Sequence, residues 1–137
     1  MQAPEGQGRP AASAPSAAKV LLTEDLDDLR DLMERLLTGS GYQVVAARDG
    51  EEALRLGLAA AVPFDVLVTD LGLPKINGKD LALQLRQRWP GLKVLATSGH
   101  PPSGEGPLSW LGPQGRFLSK PFHFDALLAE LRALLGG

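Results

Sequence analysis

FDVLVTDLGLP, residues 64–74, is an apolar, β-branched run that ends abruptly in one carboxylate, Asp70, and then in a loop of glycine and proline. A short apolar run bounded by turn residues predicts a buried strand, and the Gly/Pro loop predicts that this strand delivers Asp70 to a mouth of the fold. Most of the remaining sequence reads as support for that carboxylate.

Upstream, Gln43 to Ala47 is another apolar strand, and Asp49-Gly50 turns it into a helix with Ala53, Leu54, Gly57, Leu58 and Ala61 on one face, terminated by Val62-Pro63. Further upstream, Lys19 to Thr23 is a short strand that stops at the adjacent carboxylates of Glu24 and Asp25. Asp27, Asp28 and Asp31 then stand where anions favour a helix start, and Leu29, Leu32, Met33, Leu36 and Leu37 mark one face of that helix before Gly39 and Gly41 end it. Downstream of the Asp70 loop, Asn77-Gly78 opens a helix carrying Leu81, Leu85 and Trp89, closed by Pro90-Gly91. Lys93 to Thr97 is a fourth strand, running into Ser98-Gly99-His100, and Arg116 to Ser119 is a fifth, ending at Lys120-Pro121. A last helix turns Phe124, Leu127, Leu128, Leu131, Leu134 and Leu135 inward. Residues 100–115 hold four prolines and four glycines in sixteen positions, so the helix due there shrinks to one short turn near Leu108 to Leu111.

Strands alternating with helices in this order predict a parallel sheet covered on both faces through right-handed crossovers, a three-layer α/β sandwich. Ligands of such sheets bind outside the carboxyl ends of the strands. The length accommodates one domain, residues 19–137. Residues 1–18 are dominated by alanine, proline, glycine, serine and glutamine and read as a disordered tail or linker.

Fourteen basic against sixteen acidic residues give a net charge of −2, which supplies no general drive toward nucleic acid or anionic lipid. The absence of cysteine removes disulfides, thiol nucleophiles and thiolate metal sites. No apolar run is long enough to span a bilayer, and the N-terminus lacks the pattern of a secretory signal. A soluble cytoplasmic protein is the expectation.

The ends of the predicted strands carry Glu24 and Asp25, Asp70, Ser98 and Lys120. Crowded carboxylates repel one another unless a cation intervenes, and a cluster of hard oxygen donors points to Mg²⁺. A lysine opposite that ion supplies a second positive charge for a dianionic group such as phosphoryl, and the hydroxyl of Ser98 can donate to it. A carboxylate is itself a competent nucleophile toward phosphorus, giving an acyl phosphate.

With those elements in that order, the chain resembles the receiver domains of two-component response regulators, including those attached to hybrid sensor kinases. The resemblance covers about residues 19–136 and rests on the acidic pair in LLTED, the acceptor in VTDLGLPKING, the hydroxyl in LATSG and the lysine in FLSKPF. It implies a flavodoxin-like (βα)5 sandwich with strand order 2-1-3-4-5, its fourth helix short or missing. It implies that Asp70 takes a phosphoryl group from a phosphohistidine on a sensor histidine kinase or histidine phosphotransfer protein. It further implies that Asp25, Asp70 and the backbone carbonyl of Gly72 ligate Mg²⁺, with Glu24 acting largely through water. Lys120 would pair with the phosphoryl oxygens or with Asp70 before transfer, Ser98 would move toward the phosphoryl group, and Phe117 would rotate inward as the aromatic switch. Gly72 and His100 occupy positions at which the family tunes phosphoryl lifetime. Such a domain is a phosphoacceptor with slow self-dephosphorylation rather than an enzyme.

Glu24 in place of aspartate, Ser98 in place of threonine and Phe117 in place of tyrosine depart from the commonest pattern, and Phe117 excludes a switch that needs a phenolic hydrogen bond. The Pro/Gly-rich segment departs further, and puts in doubt an output face built on the fourth helix, fifth strand and fifth helix. A phosphohydrolase with an aspartyl nucleophile needs a second acid two residues on, where Gly72 stands. A flavodoxin-like phosphate loop is opposed by the acidic Thr23-Glu24-Asp25-Leu26-Asp27-Asp28 stretch. A pseudo-receiver would lack one of the site residues, and none is missing. His100 and His123 read as loop and helix-cap residues, and Trp89 and Trp110 as packing residues. The sequence thus predicts a signalling switch or relay without its own output domain, acting on an unknown downstream protein and touching neither nucleic acid nor membrane. Met1 fits a complete single-domain regulator, and the tail fits equally a linker cut from a hybrid sensor histidine kinase.

Overall fold

In the computed structural model, which describes residues 18–99 and 108–136, the FDVLVTD run contributes the central strand of a five-stranded parallel sheet. The strands are β1 (Lys19–Thr23), β2 (Gln43–Ala47), β3 (Val66–Asp70), β4 (Lys93–Ser98) and β5 (Gly115–Ser119), in spatial order β2-β1-β3-β4-β5. The helices are α1 (Asp27–Gly39), α2 (Gly50–Ala59), α3 (Gly78–Arg88) and α4 (Phe124–Leu135). Between β4 and β5 the described residues hold one short 3-10 turn, Leu108–Leu111, at the place the sequence predicts. Residues 1–17, 100–107 and 137 lie outside the described residues, and with them His100 and all of the predicted tail but Ala18, whose carbonyl accepts from Gln43 N–H at 2.9 Å.

Strand alternation divides the core in two. Leu21, Leu67 and Val94 face α2 and α3, meeting Ala53, Leu81 and Leu85. Val20, Leu22, Val66, Val68 and Leu95 face α1 and α4, meeting Met33, Leu37, Leu127, Leu131 and Leu134. β3 is buried along its whole length except at Asp70, so its apolar run ends where the fold reaches solvent. Register pairs Thr23 with Thr69, Asp70 with Thr97 and Ser98 with Ser119, which brings the carboxyl ends to one edge.

Two predicted helix faces are narrower than expected. On α1, Met33 and Leu37 are buried, whereas Leu32 and Leu36 are exposed; the latter sit about 100° round the helix and miss the sheet. α2 stops at Ala59, leaving Leu58 exposed and Ala61 beyond the helix. At that end Ala60 takes an extended backbone (φ −65°, ψ 135°), and the Trp89 indole N–H donates to the carbonyl of Gly57 at 2.9 Å, supplying an acceptor left open by the helix end with a donor.

Arg86 anchors the described segment that leads into β5. Its guanidinium donates to the carbonyls of Leu92 (3.1 Å), Trp110 (3.1 Å), Leu111 (2.9 Å) and Gln114 (3.2 Å). Arg86→Ala leaves those carbonyls without this donor and is expected to cost about 1–2 kcal/mol in urea denaturation, with Arg86→Lys recovering only part because one ammonium cannot span four acceptors.

Candidate functional site

β1 ends at Glu24 and Asp25 because the apolar register stops there, yet the two carboxylates are placed differently: Glu24 is 1 % exposed and Asp25 is exposed. Asp70 terminates β3, and its backbone is fixed on every side. Leu71 N–H donates to Thr97 O (2.8 Å), Gly78 N–H to Leu71 O (3.1 Å), and the Thr69 hydroxyl to Asp70 O (3.0 Å). Oxygens of Glu24, Asp25 and Asp70 all lie within 4.8 Å of one another.

Lys120 reaches into this cluster from the end of β5. Its ammonium donates to Glu24 Oε1 at 2.8 Å and lies 3.7 Å from Asp70 Oδ2, so it sits nearer the glutamate than the expected pairing with Asp70 implied. Its own N–H donates to the carbonyl of Ser98 at 2.8 Å, tying the ends of β4 and β5 together. The Lys120–Pro121 peptide is cis. Burial pushes the Glu24 carboxyl above its ordinary pKa, offset by the hydrogen bonds from Lys120 and Leu26 N–H, and the Asp70 charge pushes it the same way as burial. A buried carboxylate with a destabilised charge, beside two further acids, is the donor set a hard divalent cation relieves.

Gly72 is exposed, and a Cβ there would lie 3.9 Å from Asp70 Oδ2, so its backbone runs beside that carboxylate. Phe117 is half-buried against the α2/α3 side of the core, paired in register with Ala96, the residue two before Ser98. His123 precedes α4 as its N-cap residue without a side-chain cap bond, and Trp89 and Trp110 pack on the core. Sequence reading missed Arg30, whose guanidinium donates to the carbonyl of Glu24 at 2.9 Å; a main-chain acceptor leaves no signature in residue types.

The crowding has a measurable consequence. Asp70→Asn removes one of three neighbouring charges at the cost of a 3.7 Å attraction to Lys120, which keeps its shorter bond to Glu24. In the presence of a chelator the variant is expected to be more stable by about 1 kcal/mol, and Mg²⁺ is expected to stabilise it less than the parent. Urea midpoints with and without Mg²⁺ measure both.

Comparison with known proteins gives one consistent result. A family model described as "Response regulator receiver domain" matches residues 20–132. The response regulator MprA of Mycolicibacterium vanbaalenii is 33% identical over 117 residues, 85% of this chain and 50% of that protein, so the chain spans about half the length of such relatives. The response regulator receiver protein CpdR of Brucella abortus is 31% identical over 117 residues, covering 85% of this chain and 96% of CpdR. The crystal structure of the receiver domain from the hybrid histidine kinase CckA superimposes with a TM-score of 0.73 at 30% identity, covering 86% of this chain and 99% of that one.

Proposed function

The chain belongs to the response regulator receiver domain family, and on that premise we propose that Asp70 accepts a phosphoryl group from a phosphohistidine of a sensor histidine kinase or histidine phosphotransfer protein. The observation that carries this reading is the convergence of Glu24, Asp25 and Asp70 with Lys120 between two of them.

An Asp70 carboxylate oxygen attacks phosphorus, the O–P bond of an acyl phosphate forms, and the N–P bond of the donor breaks with its electron pair returning to the imidazole nitrogen. Asp25, Asp70 and the Gly72 carbonyl would hold Mg²⁺, with Glu24 acting through water; when bound, the ion neutralises charge on the phosphoryl oxygens. Lys120, 2.8 Å from Glu24 and 3.7 Å from Asp70, supplies positive charge to the remaining phosphoryl oxygens, exchanging part of its present pairing for the new group. Ser98 then follows the phosphoryl oxygens. Phe117, on the strand beside it and half-buried, turns into the space released, and carries the change to a downstream protein.

Receivers are phosphoacceptors, and no helix among the described residues is long and apolar enough to cross a membrane. A cytoplasmic relay with protein partners and no direct nucleic-acid contact follows from the same reading. Intact-mass spectrometry after incubation with acetyl phosphate tests it: one phosphoryl mass is expected with Mg²⁺ and none with a chelator. Equal labelling under both conditions contradicts the metal-dependent reading.

A further inference from the structure

The turn from β1 into α1 carries two of the three clustered acids, and it is held by a residue of the helix it leads into. Arg30 donates through Nη1 to the Glu24 carbonyl at 2.9 Å and through Nη2 to Asp27 Oδ1 at 2.6 Å. Its side chain is 16% exposed, against 80% for Asp27, so the fork is packed under the turn rather than waving in solvent. On the other side, Glu24 N–H donates to Ala47 O at 3.2 Å, and the Glu24 carboxylate accepts from Leu26 N–H at 3.2 Å.

Because a peptide group is planar, fixing the Glu24 carbonyl fixes the N–H and Cα of Asp25 as well. Asp25 is exposed, and none of the described hydrogen bonds or ion pairs given above reaches its carboxylate. The position of its Cα, from which the carboxylate reaches toward Asp70, is therefore set by the peptide that Arg30 grips. We infer that Arg30 is a positioning residue for the acidic pair, setting the position of Asp25 and so the affinity of the site for a divalent cation. The inference rests on the Mg²⁺ site proposed above.

Two effects of removing Arg30 oppose each other, and that makes the inference testable. Loss of a cation bonded to the Glu24 carbonyl, at the turn that carries two of the acids, by electrostatics alone tightens Mg²⁺ binding. Loss of an outer-shell partner that orients a metal ligand weakens it, typically by ten- to a hundredfold. Positioning predicts that Arg30→Ala weakens Mg²⁺ by about tenfold. It also predicts that Arg30→Lys, which keeps the charge but not the two-pronged fork, weakens Mg²⁺ by a few-fold.

Calorimetric titration of the full chain with Mg²⁺, well below the melting temperature of each variant, reads the affinity on folded protein. The acetyl phosphate labelling rate at increasing Mg²⁺ gives a second readout. The half-saturating Mg²⁺ concentration is expected to rise about tenfold in Arg30→Ala, with the rate at saturation kept within a factor of two to three. Unchanged or tighter binding in both variants overturns the positioning role while leaving the phosphoacceptor reading intact. Absence of Mg²⁺ binding to the parent protein overturns the site itself, and the role of Arg30 with it. Should Arg30→Ala not fold, Arg30→Lys decides alone: parent-like affinity overturns the role.

Discussion

Lys120→Met is expected to slow phosphoryl uptake from acetyl phosphate by about 100-fold while the protein remains folded and binds Mg²⁺. Among the described residues the ammonium is the single cation paired with both Glu24 and Asp70, at 2.8 and 3.7 Å, and one positively charged donor at a developing anionic group is worth a factor on the order of 100 in rate. Methionine keeps much of the side chain's length and removes the charge together with its N–H donors. The metal response separates this from misfolding, because deleting a cation beside three acids should tighten Mg²⁺ binding. A variant labelled at the parent rate would remove Lys120 from the transfer step. Its metal-free stability should fall, since Glu24 is left buried without its ion-pair partner, and Mg²⁺ should restore much of the loss.

Gly78→Ala is expected to cost about 2–3 kcal/mol and to slow labelling by tenfold or more. A Cβ at this position would stand 2.4 Å from the carbonyl oxygen of Asp70 and 2.9 Å from the Cα of Leu71. Both are main-chain atoms, so no rotamer change relieves the clash. The acceptor's own peptide must move. The helix-propensity gain of alanine over glycine, up to about 1 kcal/mol, opposes only part of this. Gly91→Ala is the control: nothing lies within 4 Å of its added carbon, and its stability should stay within about 0.5 kcal/mol of the parent. If both variants lose similar stability, the close approach at Gly78 is not the cause.

The sheet and the cluster at its edge were legible because strand ends are local events. Apolar runs give way to Glu24, Asp70 and Lys120 within one residue, and right-handed parallel topology carries those ends to one side whatever their separation in sequence. The Glu24 to Lys120 bond spans 96 residues and still followed from that reasoning as a convergence, though not as the shorter of the two Lys120 contacts. Periodicity was less informative about how wide a buried stripe is. It placed Leu32 and Leu36 on the same arc as Met33 and Leu37, and only packing against the sheet separates them. What escaped altogether were side chains bonded to main-chain carbonyls: Arg86 under the 3-10 turn, Trp89 at the end of α2, and Arg30 beneath the acidic pair. Such acceptors are present at every residue, so no residue pattern marks them.

The central claim is that Asp70 is the atom group that becomes phosphorylated. Borohydride reduces an acyl phosphate to an alcohol, converting a phosphorylated aspartate into homoserine. Peptide mapping of the protein reduced after acetyl phosphate treatment should find homoserine at position 70 and at no other aspartate. Reduction product at Asp25 instead, or stable phosphate on Ser98 with position 70 unchanged, would contradict the account.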